Sequence, residues 1–208
     1  LLSEALFMKL PPPARVGLFG GTFDPVHHGH LLLGRDAVEQ LELDVLLFIP
    51  ARINPHKVHS APGADRHLRM EMLHAATAGA AHFKVEPLEL EREGPSFTVD
   101  TVETLRHRWP GARLFLLLGE DNLAKLHTWH RFKELLGMVE FVCFGRPGVE
   151  ATQEGAIPFP RLERRIDISS SEIRQRIAAG RSIEYLVPES VRTLIQTHAL
   201  YQPQPQSL

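Results

Sequence analysis

Short apolar runs alternate with amphipathic segments along most of this chain, and this alternation is what most constrains its fold. Each apolar run is long enough for a buried strand, whereas the segments between the runs carry apolar residues at helical spacing. Strands are predicted at residues 16–19, 45–49, 83–90, 114–118 and 139–144. Helices are predicted at residues 28–41, 65–78, 98–109, 122–126 and 131–136. This order predicts an α/β protein with a Rossmann-like, doubly wound parallel sheet, covered by helices on both faces.

The length and composition are typical of one medium-sized globular domain. The chain has 208 residues and a net charge of −2, and 43% of its residues are hydrophobic. We predict one domain at residues 15–201 with a small C-terminal helical part, flanked by disordered segments at residues 1–14 and 202–208. The near-zero charge argues against nucleic acid as a partner, and no apolar stretch is long enough for a membrane span.

The cysteine content bears on the compartment. Cys143 is the only cysteine, so an internal disulfide and a cysteine-based metal site are both excluded. Together with the lack of a secretory signal pattern, this predicts a cytoplasmic protein. The sequence leaves the oligomeric state open, and a homo-oligomer is one of the possibilities.

A glycine-rich junction joins the first predicted strand to the first predicted helix. It reads Gly-Gly-Thr-Phe-Asp-Pro-Val-His-His-Gly-His over residues 20–30. Backbone N–H groups at a helix start are unsatisfied and carry partial positive charge, so such a junction can bind a phosphate. His27 and His30 are three residues apart, which places both imidazoles on one face of the first helical turn. The combination favours phosphoryl or nucleotidyl transfer. Taken singly, Gly20 and Gly21 also fit a tight turn with positive φ, and the histidines fit a water-facing helix turn.

The complete string resembles the signature of the nucleotidyltransferases that transfer AMP from ATP. From Val16 to about Leu200 the chain is similar to the bacterial nicotinate mononucleotide adenylyltransferase family. The resemblance implies a Rossmann-like fold and transfer of AMP from ATP to nicotinate mononucleotide, which yields nicotinate adenine dinucleotide and pyrophosphate in NAD biosynthesis. It also implies Mg²⁺ bound mainly through the ATP phosphates, for which we assign no protein ligand. The implied ATP-binding residues are Gly20, Gly21, Thr22, Phe23, His27, His30, Ser170, Ser171 and Arg174.

A serine cluster near the C-terminal end supports the ATP site. Residues 168–174, Ile-Ser-Ser-Ser-Glu-Ile-Arg, resemble the family's Ile-Ser-Ser-Thr-x-Ile-Arg, with Ser171 in the place of the threonine. Serines that open a helix supply hydroxyl and N–H groups to phosphates, and Arg174 one turn later can complete a fork for the β- or γ-phosphate. A capping box formed by Ser169 and Glu172 explains the same pattern and is compatible with this function.

Three other segments are expected to bind the mononucleotide. Residues 54–57, Asn-Pro-His-Lys, resemble the family's Pro-His-Lys segment, and residues 96–101, Ser-Phe-Thr-Val-Asp-Thr, resemble its Ser-Tyr-Thr-x-Asp-Thr segment. In the family the second segment receives the nicotinate carboxylate at a helix start, although helix capping by Ser96 or Thr98 also explains these residues. Residues 119–122 resemble the family's Gly-x-Asp turn. The implied mononucleotide-binding residues are His56, Lys57, Thr98, Asp121 and Trp129.

The expected catalytic residues are those whose donors can offset charge on the phosphates. They are His27, His30, Lys57 and Arg174. Trp129 offers a flat face for the nicotinate ring, but a core position is an alternative for it. The arginine-rich residues 161–165 are expected on a solvated face.

Three other functions fit parts of the sequence. The same chemistry with another acceptor, such as nicotinamide mononucleotide or phosphopantetheine, is the nearest alternative, although phosphopantetheine adenylyltransferases usually carry Thr in place of His27. A class I aminoacyl-tRNA synthetase fragment also uses His-x-Gly-His, but the near-neutral charge argues against it. A nucleotide sensor would keep the glycines and have little need of both histidines.

Overall fold

The computed structural model describes residues 12–53, 63–123, 125–145, 160–164 and 166–203. Most of residues 1–14 and 202–208, for which we predicted disorder, lie outside these ranges. The strands are β1 (Arg15–Gly21), β2 (Val45–Pro50), β3 (Phe83–Val85), β4 (Arg113–Gly119), β5 (Glu140–Gly145) and β6 (Arg161–Glu163). The longer helices are α1 (His28–Gln40), α2 (Arg66–Thr77), α4 (Thr98–Arg108), α7 (Ser170–Ala178) and α8 (Glu189–Thr197). Shorter helical turns are α3 (Leu88–Glu91), α5 (Glu120–Leu123), a 3₁₀ turn (Leu126–Thr128) and α6 (Phe132–Leu135).

The strands form a six-stranded sheet in the order β3-β2-β1-β4-β5-β6. Every neighbouring pair is parallel, and the register places Val16 beside both Val45 and Leu114. The strand order reverses between β1 and β4, and in open parallel sheets ligands bind outside the carboxyl ends of the strands at such a point. The predicted Rossmann-like, doubly wound fold is confirmed.

Alternate residues of the central strands enter two separate hydrophobic cores. One core joins one face of the sheet, for example Phe48 and Leu117, to apolar residues of α1, α2, α7 and α8. The other joins the opposite face, for example Leu47 and Leu116, to residues of α4 and α6. Because successive side chains of a strand point to opposite faces, continuous apolar runs are what a sheet buried on both sides requires.

The structure corrects the sequence prediction in two places along the chain. The predicted strand region at residues 83–90 contains only the three-residue strand β3, and Leu88 already begins the helical turn α3. Residues 161–165 were expected on a solvated face, but residues 161–163 form the edge strand β6. Its Leu162 pairs with Phe144 and is only 4% exposed, which a single apolar residue among charged neighbours did not predict.

Side-chain contacts fix two of these elements. Asp65 is the N-cap of α2, and its carboxylate accepts from the amides of His67 and Leu68. The guanidinium of Arg164 donates to the buried carboxylate of Asp36, which ties the segment after β6 to α1. None of the helices in the described ranges is long and apolar enough to cross a membrane.

Candidate active site

A cavity of about 890 Å³ opens at the carboxyl edge of the sheet, where β1 and β4 end. Its walls come from segments far apart in sequence: the loop after β1, the start of α1, the start of α4, the turns after β4 and the start of α7. All of the predicted ATP-binding residues line it, namely Gly20, Gly21, Thr22, Phe23, His27, His30, Ser170, Ser171 and Arg174. Thr98 and Trp129, two of the residues expected to bind the mononucleotide, line the same cavity.

The two glycines of the junction do not form the tight turn with positive φ that was considered for them. Gly20 and Gly21 belong to the extended strand β1, and the positive φ of 51° lies at Phe23 instead. A β-carbon at Gly20 would meet nothing within 4 Å, whereas one at Gly21 would lie 2.9 Å from the ring of Phe23. Gly21 is therefore needed for close approach of the Phe23 ring, and Gly20 leaves the cavity wall open.

The two histidines of the junction form a compact pair at the start of α1. Their ring centroids are 3.7 Å apart with an interplanar angle of 30°. The backbone N–H of His27, the N-cap residue, donates to Nδ1 of His30 at 3.2 Å. Because Nδ1 of His30 accepts this bond, a neutral His30 carries its proton on Nε2 and can donate from there. A β-carbon at Gly29 would lie 2.9 Å from Nδ1 of His27, so a glycine between the histidines is required.

Burial favours the neutral form of both imidazoles. Burial, together with a smaller effect of the neighbouring His28, lowers the pKa of His27 from 6.5 to about 4. Burial likewise lowers the pKa of His30 well below its usual value, with His27 as the second cause. At neutral pH the pair thus offers hydrogen-bond donors rather than positive charge.

The start of α1 offers fewer free backbone N–H groups than the sequence suggested. The amide of His28 donates to the carbonyl of Leu186 at 3.0 Å, and the amide of His30 donates to the carbonyl of His27 at 3.0 Å. The amide of His27 is used by His30, as described above. Since these donors are occupied, the imidazole side chains are the more available donors at this helix start.

The start of α7 places Arg174 against the loop after β1. Nη1 of Arg174 donates to the carbonyl oxygen of Asp24 at 2.7 Å, and Nη2 donates to Oγ of Ser171 at 3.3 Å. The hydroxyl of Ser170 donates to the carbonyl oxygen of Pro25 at 2.9 Å. Oγ of Ser169 accepts from the amide of Glu172, which confirms its predicted capping role. The serine cluster therefore joins α7 to the junction and orients a guanidinium at the cavity wall.

The start of α4 forms the opposite wall, and its N-cap differs from the prediction. Phe97 is the N-cap residue and makes no side-chain capping bond. Ser96, expected as a cap, instead accepts from the amide of Arg52 at 2.9 Å. Among the described residues, neither Phe97 nor Ser96 caps the helix through its side chain, and Thr98 lines the cavity beside the N–H groups at the helix start.

Trp129 lies both against the core and in the cavity wall. The side chain is partly buried against the core that lies under α4, and it also lines the cavity. Nearby, the rings of Phe97 and His130 are stacked with centroids 4.3 Å apart. The phenylalanine found in place of the family's tyrosine thus forms part of an aromatic wall. His56 and Lys57 lie outside the described residues, as does the side chain of Asp121.

Three residues near the cavity were missed by sequence reasoning. Glu89 lines the cavity, accepts from the hydroxyl of Thr101 at 2.9 Å and has its pKa raised by burial. Arg69, which is 2% exposed, and Tyr201 both contact the junction. Their partners are distant in sequence, so only the family pattern around each residue could have indicated them.

Comparison with known proteins places the chain in a family. The sequence profile of the cytidylyltransferase-like family matches residues 18–176. A Bacillus subtilis protein named nicotinate-nucleotide adenylyltransferase is 38% identical over 191 residues, which cover 90% of this chain and 98% of the relative. A probable nicotinate-nucleotide adenylyltransferase from Exiguobacterium sibiricum is 45% identical over 192 residues, with the same coverage. The chain belongs to the nicotinate-nucleotide adenylyltransferase family.

Solved structures agree with this membership at the level of the fold. A Plasmodium falciparum nicotinic acid mononucleotide adenylyltransferase, complexed with NaAD, has a TM-score of 0.71 at 20% identity and covers 90% of this chain and 97% of that chain. As a member of the nicotinate-nucleotide adenylyltransferase family, the chain is a nucleotidyltransferase of NAD biosynthesis, which confirms the resemblance noted in the sequence.

Proposed function

We propose that AMP passes from ATP to nicotinate mononucleotide inside this cavity, with the triphosphate against His27, His30 and Arg174 and the acceptor against Thr98 and Trp129. The observation that carries the proposal is the convergence of these residues, from four separate segments, on one cavity at the switch point of the sheet.

The reaction needs no protein nucleophile. An oxygen of the acceptor's 5′-phosphate forms a bond to the α-phosphorus of ATP, and the bond from that phosphorus to the bridging oxygen breaks, which releases pyrophosphate. The attacking phosphate is already ionised at neutral pH, so the protein has to align two anions and offset their repulsion. Correct alignment of two reactants can supply roughly 7 to 11 kcal/mol of the barrier.

The protonation states support a role for the histidines as donors. Burial keeps His30 neutral, with its proton on Nε2, so Nε2–H can donate to a phosphate oxygen. Preorganised donors of this kind stabilise charge that develops in the transition state, and removal of one typically costs about 100- to 1000-fold in turnover. The permanent charge at this wall is supplied by Arg174. The roles of His56 and Lys57 remain predictions from the sequence.

The start of α4 supports binding of the acceptor's carboxylate. Its amides have no side-chain cap, and a helix N-terminus favours an anion. Thr98 adds a hydroxyl at the same wall. A hydrogen bond to a charged group is worth about 1.5 to 3 kcal/mol, which corresponds to a preference of about tenfold to a hundredfold for the acid over the amide.

Mg²⁺ is proposed to enter with ATP. In the part of the chain that the structure describes, no group of three His, Cys, Asp or Glu side chains could hold a metal ion. We assign the ion to the ATP phosphates and water and name no protein ligand for it. When bound there, Mg²⁺ neutralises phosphate charge.

The direct test measures pyrophosphate release from ATP with three acceptors in parallel: nicotinate mononucleotide, nicotinamide mononucleotide and phosphopantetheine. We expect release with the nicotinate acceptor to exceed release with the nicotinamide acceptor by about tenfold or more. Equal rates with the acid and the amide would contradict the proposed role of α4. ATP binding without pyrophosphate release from any acceptor would favour the nucleotide sensor.

A further inference from the structure

The carboxylate of Asp24 is a buried charge that the proposed reaction does not use. Asp24 lies in the junction after β1 and is only 4% exposed. Its Oδ2 accepts from the amide of Gly63 at 2.7 Å, and its Oδ1 accepts from the amide of Ala64 at 3.0 Å. The hydroxyl of Tyr201 donates to the same Oδ1 at 2.7 Å. Together these bonds account for three of the roughly four acceptor sites of a carboxylate.

Asp24 also lies close to the guanidinium that we assign to ATP. Nη1 of Arg174 is 3.9 Å from Oδ2 of Asp24, and it donates to the backbone carbonyl of the same residue. The carboxylate and an incoming phosphate are therefore two anions that compete for one guanidinium. Each hydrogen bond that the Asp24 carboxylate accepts from another group weakens the attraction of this carboxylate for Arg174.

Tyr201 is held in place for this contact by packing. It follows α8, and a β-carbon on Gly63 would lie 2.9 Å from its ring. Its ring packs against the core that includes α1, α2, α7 and α8. The charged groups that face its hydroxyl are Asp24, Arg174 and Arg69. Burial raises the pKa of Tyr201, and the adjacent Asp24 carboxylate raises it further, so the hydroxyl remains a donor at neutral pH.

We propose that Tyr201 is a positioning residue for ATP, and that its hydroxyl engages the Asp24 carboxylate so that Arg174 stays available to the phosphates. The proposal rests on the proposed contact between Arg174 and ATP. Loss of the hydroxyl leaves Oδ1 of Asp24 with one donor among the described residues, the amide of Ala64, so the carboxylate draws Arg174 toward itself and away from the ligand.

The test uses the two tyrosines of the chain as a matched pair. Tyr201→Phe keeps the ring and its packing, and Tyr185→Phe removes a hydroxyl from a side chain that is 83% exposed. Binding of Mg-ATP is measured by titration calorimetry, and steady-state constants are measured for both substrates. We expect Tyr201→Phe to weaken ATP binding about threefold to tenfold while the KM for the mononucleotide changes less than about twofold. Tyr185→Phe should match the wild type in every constant.

A double-mutant cycle separates positioning from a merely structural effect. Arg174→Ala is measured alone and together with Tyr201→Phe. If Tyr201 acts through Arg174, the second substitution adds no further loss of ATP affinity once Arg174 is gone. An equal loss in both backgrounds, or unchanged ATP affinity in Tyr201→Phe, overturns the inference. Unchanged ATP affinity in Arg174→Ala would instead contradict the proposed ATP contact of Arg174, and with it the premise of the inference.

A second measurement needs no substitution at Tyr201. In Tyr185→Phe, Tyr201 is the only tyrosine, so its ionisation can be followed by ultraviolet absorbance during an alkaline titration. We expect tyrosinate to form only well above the usual pKa of 10.0 while the protein stays folded. Half-ionisation near pH 10 in the folded protein would show that the bond to Asp24 is absent in solution, and would overturn the proposal.

Discussion

Nη1 of Arg69, on helix α2, lies 2.8 Å from the carbonyl oxygen of Thr22 in the junction after β1. The same nitrogen donates to the carbonyl oxygen of Ala51 at 2.9 Å, just after β2. One buried guanidinium therefore fixes the ends of two adjacent strands to each other at the cavity edge. Arg69 in this way stabilises the loop that we assign to ATP.

Replacing Arg69 with methionine should destabilise the protein. The change leaves the buried carbonyl oxygen of Ala51 and the partly buried one of Thr22 without their donor. Each unsatisfied buried group costs about 1 to 3 kcal/mol, so we expect the free energy of unfolding to fall by about 3 kcal/mol. Chemical denaturation measures this difference. Arg66→Met provides the control, because Arg66 is on the same helix and exposed, and its loss should be under about 0.5 kcal/mol. Similar losses of unfolding free energy in the two variants would contradict this stabilising role of Arg69.

Removing the imidazole of His30 should lower turnover with the fold intact. We expect His30→Ala to reduce kcat at least about tenfold, since it removes a donor placed toward the phosphates. The matched control is His28→Ala, because the bond of His28 to Leu186 comes from its backbone amide, which the substitution keeps, and His28 is not among the residues that line the cavity. Circular dichroism and pyrophosphate release report fold and turnover respectively. Wild-type turnover in His30→Ala would refute the catalytic role of that residue.

Stability should fall on mild acidification because His27 is buried in its neutral form. Its pKa is lowered from 6.5 to about 4, so between these pH values the unfolded chain binds more protons than the folded one. The stability that comes from keeping His27 neutral is therefore fully present above about pH 6.5 and is lost as the pH falls toward 4. For His27 alone the linkage amounts to about 2 kcal/mol between pH 7 and pH 5.

The check is chemical denaturation of the wild type and His27→Gln at both pH values. Glutamine is uncharged throughout, so the variant should lose about 2 kcal/mol less than the wild type on going from pH 7 to pH 5. Parallel losses in the two proteins would show that His27 titrates normally.

The choice of acid over amide should depend on Thr98. Thr98→Val keeps the shape of the side chain and removes its hydroxyl, and we expect the ratio of kcat/KM for the acid and amide mononucleotides to fall about tenfold. Thr104→Val is the control, since Thr104 is on the same helix and its hydroxyl donates to the carbonyl of Asp100. The ratio should be unchanged there. An unchanged ratio in Thr98→Val would assign selectivity to the backbone amides or to another residue.

The sequence was sufficient for the fold wherever local signals were strong. Residues 114–118 form an uninterrupted apolar run and lie in the central strand β4, and Asp65 caps α2 as its position before an amphipathic segment predicts. The edge strand β6 has three residues and one buried side chain, Leu162, so it left no periodic pattern to detect. The expected cap at Ser96 was wrong because the hydroxyl has a tertiary partner, the amide of Arg52.

The residues of the candidate site likewise divide into those that the sequence could predict and those that it could not. The motif residues at positions 20–30 and 168–174 could be named because they lie in contiguous strings, and the structure brings them together. Tyr201 bonds to a residue 177 positions away in sequence, and Arg69 bonds to one 47 positions away. Neither distance nor partner can be derived from a local pattern. The catalytic and binding roles of the named residues remain predictions, which the variants above test.

The elements that form the two halves of the cavity pack against different hydrophobic cores. The junction after β1, α1 and α7 belong to one side of the sheet, whereas α4 and Trp129 belong to the other. A substitution that reshapes the acceptor wall can thus be accommodated by repacking on its own side of the sheet. The residues assigned to ATP, which lie on the other side, need not move. We expect such an architecture to let acceptor choice diverge, in evolution or by engineering, while the triphosphate machinery is inherited unchanged.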